Sequence, residues 1–297
     1  MAAERTKVTL GTATPGGGFP LYGNAVAEVV HATEPSLLIE PHNTKGSTEN
    51  VPLLEAGRLD IALVQGEVAY ESLAGIGRPA ADLKIIAAMY STPGMFVVRR
   101  DARYRGIADL IGGPVAFGAR GSGLVVLARY VLDGLGLDPD RDFQAIYLER
   151  AGDGPEMVLD GRAAALWGGG IGWPGFATVA KSGGRFIAPS ADERARIRAK
   201  HGFLQSISVP AGSYAGLDAP LDSVGSFSFI LARPRFDDEA AYRLARALHR
   251  AHAALVQKLD QARETTAANT AAAAPRQDLI HPGVARYLRE IGVIAKA

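Results

Sequence analysis

The sequence predicts an α/β fold made of two lobes joined by crossover strands. Three observations carry that expectation. From Val8 onward, short apolar runs alternate with stretches of helical periodicity, the pattern of a parallel sheet with connecting helices. The same order of strand, glycine turn and helix restarts near Gly106. A late apolar run, "VGSFSFILAR", then returns before a long helix.

The elements follow in order. Val8–Thr12 reads as a strand, and Tyr22–Thr33 as a helix with Ala25, Val29 and Ala32 on one face. "SLLIEPH" is a second strand, closed at Pro41. A helix over 48–56 leads to the buried strand "DIALVQ", with Gly57 placed for a left-handed C-terminal cap. "LKIIAAMYS" and "GMFVVRR" are further strands. In the second set, a short helix precedes the strand Val115–Gly118, a glycine turn and a helix. "DFQAIYLE" is its next strand, "GDGPEMVLDG" a short helix, and "AAALWGGGIGW" a strand ending in glycines. After "VGSFSFILAR", Asp237, Asp238 and Glu239 put acid at the positive end of the long helix. "ETTAANTAAAAPRQ" reads as frayed helix or loop, and "HPGVARYLREIGV" as a closing amphipathic helix. "GMFVVRR" and "FSFILAR" are apolar enough to be paired crossover strands. Residues 1–94 with 225–297 then form one lobe and 95–224 the other, with a ligand cleft between them.

Composition narrows the function. The chain has 297 residues, 47% hydrophobic and 21% charged, within the range of globular proteins. Its net charge of +1, from 32 basic and 31 acidic residues, gives no footprint for nucleic acid. No apolar run reaches the roughly 20 residues of a membrane span; the strongest, "GLVVLARYVLDGLGL", is broken by Arg129 and Asp133. With no cysteine, thiolate nucleophiles, disulfides and cysteine-held metal centres are excluded. The opening "MAAERTK" has no apolar signal core. Two readings stay open: a cytosolic protein, or an exported one whose leader has been removed.

Glycine turns recur in four places: "TPGGGFPLYG", "NTKGSTEN", "GARGSG" and "WGGGIGW". A dinucleotide fingerprint is the first candidate, with Gly16, Gly18 and the acid Glu40 on the next strand. It lacks the third glycine, which is Leu21, and Pro15 and Pro20 stiffen the loop. No Walker loop is present, because no Gly-Lys-Ser/Thr stands at the required spacing. The glycines could also serve tight turns alone. Their repetition between strand and helix favours a small anion, since ligands of open α/β sheets bind at that edge. Ser47, Thr48 and Ser122 offer hydroxyls there, helix N-termini offer N–H groups, and Lys45 and Arg120 offer charge. Phe19, Tyr22, Tyr90 and Trp167 stand beside these loops, to cover an apolar portion or to pack a core. His249 and His252 are three apart on the long helix without a third ligand, which favours plain helix surface over metal. Glu49 is explained by its place in a first helical turn. No acid–base pair, nucleophile elbow or zinc-protease helix is present.

"GTATPGGGFPLYG", "NTKGSTENVPLLEAGRLDIALVQGEVAYE", "IADLIGGPVAFGARGSG" and the terminal "HPGVARYLREIG" resemble the TAXI family of solute-binding proteins, receptors of tripartite ATP-independent periplasmic (TRAP) transporters. The resemblance runs from Val8 to about Gly292. It implies a type II-like periplasmic binding fold, two α/β lobes joined by crossover hinge strands, that closes on a ligand. It also implies a periplasmic monomer, not an enzyme, delivering a small organic anion such as glutamate or 2-oxoglutarate to membrane permease subunits. Carried over position by position, it implicates Gly17, Phe19 and Tyr22 in the first loop and Gly46, Ser47 and Thr48 in the second. Gln65 follows on the next strand, and the second lobe supplies Gly121, Ser122, Gly123, Trp167 and Gly168. No cofactor, metal or nucleic acid is implied. The chain departs from the family pattern at the Gly-Gly-Gly-Phe-Pro of its first loop, at the cations Lys45 and Arg120, and at Leu124, where threonine is frequent. Ligand identity is therefore not carried over. An enzyme or a cytosolic ligand sensor on the same fold are the competing readings.

Overall fold

A computed structural model describes residues 5–295 of the chain. Internal contacts divide it into two units: Met1–Ala13, Phe19–Tyr90 and Phe227–Ala297 in the first, Thr14–Gly18 and Ser91–Ser226 in the second. The chain passes from one to the other within long strands as well as at the Thr14–Gly18 turn.

The first unit runs through β1 (Thr6–Gly11), α1 (Gly18–Thr33), β2 (Leu37–His42), α2 (Ser47–Glu55), β3 (Ile61–Val64), α3 (Gly66–Ala74) and into β4 (Lys84–Pro93). β1 lies between β2 and β3 and is parallel to both. The chain therefore moves to one side of β1 and then to the other, which makes the β1/β3 border a topological switch point. Pro41 does not close β2, as the sequence reading expected; it pairs with Leu10 inside the strand. β2 is an edge strand, so the missing proline N–H costs no ladder bond. Gly57, at φ 66°, takes the expected left-handed cap.

The second unit contains β5 (Met95–Val98), β6 (Pro114–Ala119), α4 (Gly123–Gly134), α5 (Pro139–Asp142), β7 (Gln144–Leu148), α6 (Gly154–Leu159) and β8 (Ala165–Gly168). It continues through α7 (Pro174–Lys181), β9 (Arg185–Ile187), α8 (Ala191–Lys200), β10 (Gln205–Val209) and the start of β11 (Leu221–Ala232). Here β6 lies between β7 and β8, parallel to both, repeating the arrangement around β1. β5 is antiparallel to β8 and to β9. One expectation is corrected: "GMFVVRR" is not the partner of "FSFILAR". Its strand, β5, belongs to the second sheet, whereas β11 pairs with β4 and, through Phe229–Ala232, with β3. The cause lies at Gly94, which interrupts the extended chain between β4 and β5. Its N–H donates to Val224 O at 2.9 Å, and a Cβ there would stand 2.6 Å from the Trp167 ring.

After β11 come α9 (Asp238–Arg250), α10 (His252–Lys258), α11 (Ala267–Ala273) and α12 (Pro282–Glu290). Asp237 caps α9, its carboxylate accepting from Ala240 N at 2.7 Å. The alanine tract forms α11, capped by Thr266 and packed on the core through Ala267 and Ala271. His281 caps α12, with Pro282 at the first helical position. The glycine of this "HPG" segment lets two helices meet: a Cβ on Gly283 would come within 2.0 Å of Asp238 O.

The first core joins Val8, Leu10, Ile61 and Leu63 of the sheet to α1, α9 and α12. Among the described residues, cores lie on both faces of the second unit's sheet. Alternation along β5 sends Phe96 and Val98 to one and Met95 and Val97 to the other. Each fully buried side chain of this kind contributes about 1.5–3 kcal/mol.

Candidate functional site

In each unit the C-terminal ends of three parallel strands carry the glycine loops. In the first unit, the loop after β2 turns at Gly46, whose φ of 116° leaves α2 with an N-terminus uncapped by any side chain. The buried Ser47 hydroxyl accepts from Gln65 N at 3.0 Å. Gln65 stands at the N-cap of α3, and its side chain caps nothing. Two helix N-termini, of α2 and α3, are thereby tied together at the end of β3. Both contribute partial positive charge there.

The polar groups around this junction are buried, and Asn50 Oδ1 and Gln65 Nε2 lack partners among the described residues. Thr12 Oγ1 donates to His42 O at 2.9 Å, and Thr12 O accepts from Asn50 Nδ2 at 2.8 Å and Thr44 Oγ1 at 3.1 Å. Asn50 Nδ2 also donates to Leu63 O at 2.8 Å, while Asn50 Oδ1 has no hydrogen-bond partner. Gln65 is 3% exposed and its Nε2 is likewise unpartnered. A buried donor without an acceptor costs about 1–3 kcal/mol, so the junction has an interest in an incoming acceptor. Thr48 follows in the exposed first turn of α2. Lys45 is exposed; its backbone N–H donates to Glu49 Oε2 at 2.6 Å, which accounts for Glu49.

Tyr22 is fully buried in α1. Thr265 Oγ1 donates to Met89 O at 2.7 Å, so its lone pair receives the Tyr22 hydroxyl at 3.0 Å. Burial pushes the Tyr22 pKa up despite that bond. Its ring meets Tyr90 edge-on at 5.4 Å, and Phe19 packs on the same core. The Thr14–Gly18 turn, which includes Gly17, groups with the second unit. Thr14 Oγ1 there accepts from Ala151 N at 3.3 Å, and a Cβ on Gly16 would lie 2.7 Å from Gly152 Cα. Gly16 thus serves a close backbone approach.

In the second unit, Gly118 at φ 111° follows a register shift in β6. Arg120, Gly121, Ser122 and Gly123 lead into α4, where Ser122 Oγ accepts from Leu124 N at 3.1 Å. The Arg120 guanidinium lies 5.2 Å from the Tyr147 ring centroid. Trp167 is buried in the core, donates from its indole N–H to Leu124 O at 2.8 Å and stacks edge-on against Phe96 at 4.7 Å. At Gly168 a Cβ would come within 2.3 Å of Trp173. The "WGGGIGW" glycine at that point accommodates an indole.

The structure therefore brings together Gly46, Ser47 and Gln65 with the start of α2, and Arg120 to Gly123 at the start of α4. Tyr22 with Tyr90, and Trp167 with Phe96, are packed within their units. Sequence reasoning missed Thr12 and Asn50. Asn50 belongs to the quoted Gly-Ser-Thr-Glu-Asn run, but only its bonds to Thr12 and Leu63 reveal its part. The two helical histidines have local partners: His249 Nδ1 lies 2.7 Å from Tyr287 Oη, and His252 Nε2 3.2 Å from Arg263 O. Among the described residues, no helix is long and apolar enough to cross a membrane.

Two α/β sheets, each with its first parallel strand flanked by the next two and glycine loops at the strand ends, define a periplasmic-binding-protein-like fold. MatC from Rhodopseudomonas palustris with bound malate is similar, at 14% identity and TM-score 0.61 over 99% of this chain and 97% of that one. A TctC solute-binding protein from Polaromonas matches at 17% identity and TM-score 0.53 over 99% of each chain. The alkanesulfonate-binding protein SsuA from Xanthomonas axonopodis pv. citri, bound to MOPS, matches at 20% and 0.53, covering 97% of this chain and 84% of that one. The chain belongs to the NMT1-like family, whose model matches residues 10–292.

Proposed function

We propose that this protein is a solute receptor of the TAXI type that binds a small organic anion and delivers it to a TRAP membrane permease. The observation that carries the reading is the Ser47–Gln65 junction, where two helix N-termini meet and a buried amide donor lacks an acceptor among the described residues. A carboxylate or sulfonate placed there gains charge-assisted bonds of about 1.5–3 kcal/mol each. Gly46, Ser47, Thr48 and Gln65 receive the anionic group. Gly121, Ser122 and Gly123 of the second unit contribute N–H groups from the start of α4, and Lys45 and Arg120 offset charge. Gly17 allows close backbone approach and Phe19 covers the remainder, while Tyr22, Tyr90 and Trp167 support the loops from the packed cores of their own units and Gly168 makes room for Trp173. Closure of two lobes follows from contacts made to both, because only differential affinity shifts such an equilibrium. Membership of the NMT1-like family supports a receptor, and the malate and MOPS of the similar structures are both organic anions.

The test is a thermal-shift panel of carboxylates, sulfonates, acidic amino acids, nicotinamides and nucleotides. A ligand at a hundredfold excess over Kd raises stability by about 2.7 kcal/mol. A shift by an organic anion, abolished in Lys45→Ala combined with Ser122→Ala, supports the reading. A shift by nucleotide alone, or turnover of the bound compound, refutes it. Fractionation of the natural gene product tests the periplasmic location: recovery from the cytosol refutes export and favours a sensor.

A further inference from the structure

The second unit carries another feature that the solute site does not use. At the opposite end of its sheet from the glycine loops, β6 begins at Pro114, β8 begins at Ala165 and the antiparallel β5 ends at Val98. A cavity of about 370 Å³ opens there, lined by Arg99, Arg103, Tyr104, Val158, Ala163 and Ala164 among others. Its neighbourhood is rich in arginine although the whole chain is nearly neutral at +1.

Most of these arginines are occupied. Arg99 clasps Asp101 through two bonds, Nε to Oδ1 at 2.8 Å and Nη2 to Oδ2 at 3.2 Å. Gly161, at φ 84°, makes room for it: a Cβ there would stand 3.0 Å from Arg99 Nη1. Arg162 holds Asp160 at 2.7 Å. Arg185 Nη2 donates to Ala102 O at 2.7 Å and Tyr104 O at 3.2 Å, and Arg105 Nη1 adds longer bonds to the same two carbonyls. Ala102 and Tyr104 also pack on the core. The segment between β5 and β6 is thus held from both sides, and the residue between the two pinned carbonyls is Arg103. It is exposed and has neither an ion pair nor a hydrogen bond among the described residues.

We infer that this cavity is a second anion site, selective for a single carboxylate on a short apolar stem. Arg103 receives the carboxylate, and the stem lies over the half-buried Tyr104, Pro114 and Ala164. Selectivity for one charge follows from the lining: Arg99 is already paired with Asp101, which leaves Arg103 as the one lining cation without a carboxylate partner among the described residues. The carboxylate comes either from a free monocarboxylic acid or from a glutamate side chain of a protein. The inference stands whether or not the solute site binds as proposed, since the two involve different residues.

The experiment is an NMR titration of the full chain with pentanoate and, separately, with a blocked peptide containing one glutamate. Saturable shifts are expected at the amides of Arg103, Tyr104 and Gly161. Arg103→Ala weakens binding by about threefold to fivefold, the loss of one exposed charge pair, and Asp101→Asn tightens it. Arg58→Ala, which changes net charge equally at an exposed site in the first unit, leaves it unchanged. Saturation by pentanoate supports the site with a free acid as its source, and saturation by the peptide alone supports it with a protein as its source. The inference is overturned if neither probe saturates these shifts, if Arg103→Ala binds as the wild type does, or if Arg58→Ala weakens binding as much as Arg103→Ala.

Discussion

Gln65→Met separates function from stability at the Ser47–Gln65 junction. Methionine keeps the length and flexibility of glutamine and removes the amide. Gln65 is 3% exposed and its Nε2 has no partner among the described residues. The ligand-free protein therefore carries a donor desolvated without return, a cost of about 1–3 kcal/mol. Removing it should stabilise the ligand-free protein by about 1 kcal/mol, a rise in melting temperature of roughly 2 °C for a chain of this size. The backbone bond from Gln65 N to Ser47 Oγ is untouched by the substitution. Binding should move the other way. Loss of one bond to an anion costs about 1.5–3 kcal/mol, or roughly 10- to 150-fold in Kd. Melting without ligand, together with calorimetric titration using the strongest anion from the panel, measures both quantities. A ligand-free variant that melts several degrees lower would show that the amide supports the fold. Undiminished affinity would remove Gln65 from the site, and either result refutes the reasoning.

Three other perturbations test the frame around the site. Gly283→Ala drives a methyl into Asp238 O and should cost about 1–3 kcal/mol by prying α12 from α9; an unchanged denaturant midpoint would contradict the close approach. Burial alone would raise the pKa of Asp60, but the Thr9 N–H and hydroxyl and the Arg233 guanidinium hold it below the usual carboxylate range. Its contribution is present above about pH 3.9 and lost as pH falls through the lower folded value, so Asp60→Asn should lose about 1–2 kcal/mol at neutral pH and show a flatter acid limb. His281 titrates low because it is buried; Gly283 N donates to its Nδ1 at 3.2 Å while Nε2 faces Phe236 O at 3.0 Å. The neutral form is the stable one, so stability should decline as pH drops below about 6.5, and His281→Ala should remove that decline together with about 1 kcal/mol of capping.

Much of this architecture is legible in local sequence, because caps, apolar runs and turns are local devices. Asp237 announces α9 and Gly57 closes α2 without reference to distant residues. The remainder depends on partners remote in the chain. Pro41 reads as a stop until β2 is known to be an edge strand. The nine-residue α3 begins with Gly66 and a buried Glu67, against the usual exposure of acids in a first turn, and goes unnoticed. The glycine loops are visible as loops, but their individual reasons are not. Gly16 answers to Gly152, Gly94 to Trp167, and Gly168 to Trp173, and no spacing rule links such pairs. Trp167 stands at a strand end, as the sequence suggests, yet Phe96 and Leu124 determine that its ring is core. The Ser47–Gln65 tie spans only a helix and a strand, so the residue types were readable and the orphaned amide was not.

The division of the chain also sets an order of assembly. The first core draws on Val8 at one end and Leu288 at the other, so it cannot be completed until almost the whole chain exists. Both cores of the second unit lie between Met95 and Val224 and lack nothing that is made later. During synthesis from the N-terminus, the inserted unit can reach its packed state while the first sheet still waits for the end of β11 and for α9 and α12. The strands that join the units are then also the point where an early-folding body hands over to a late one.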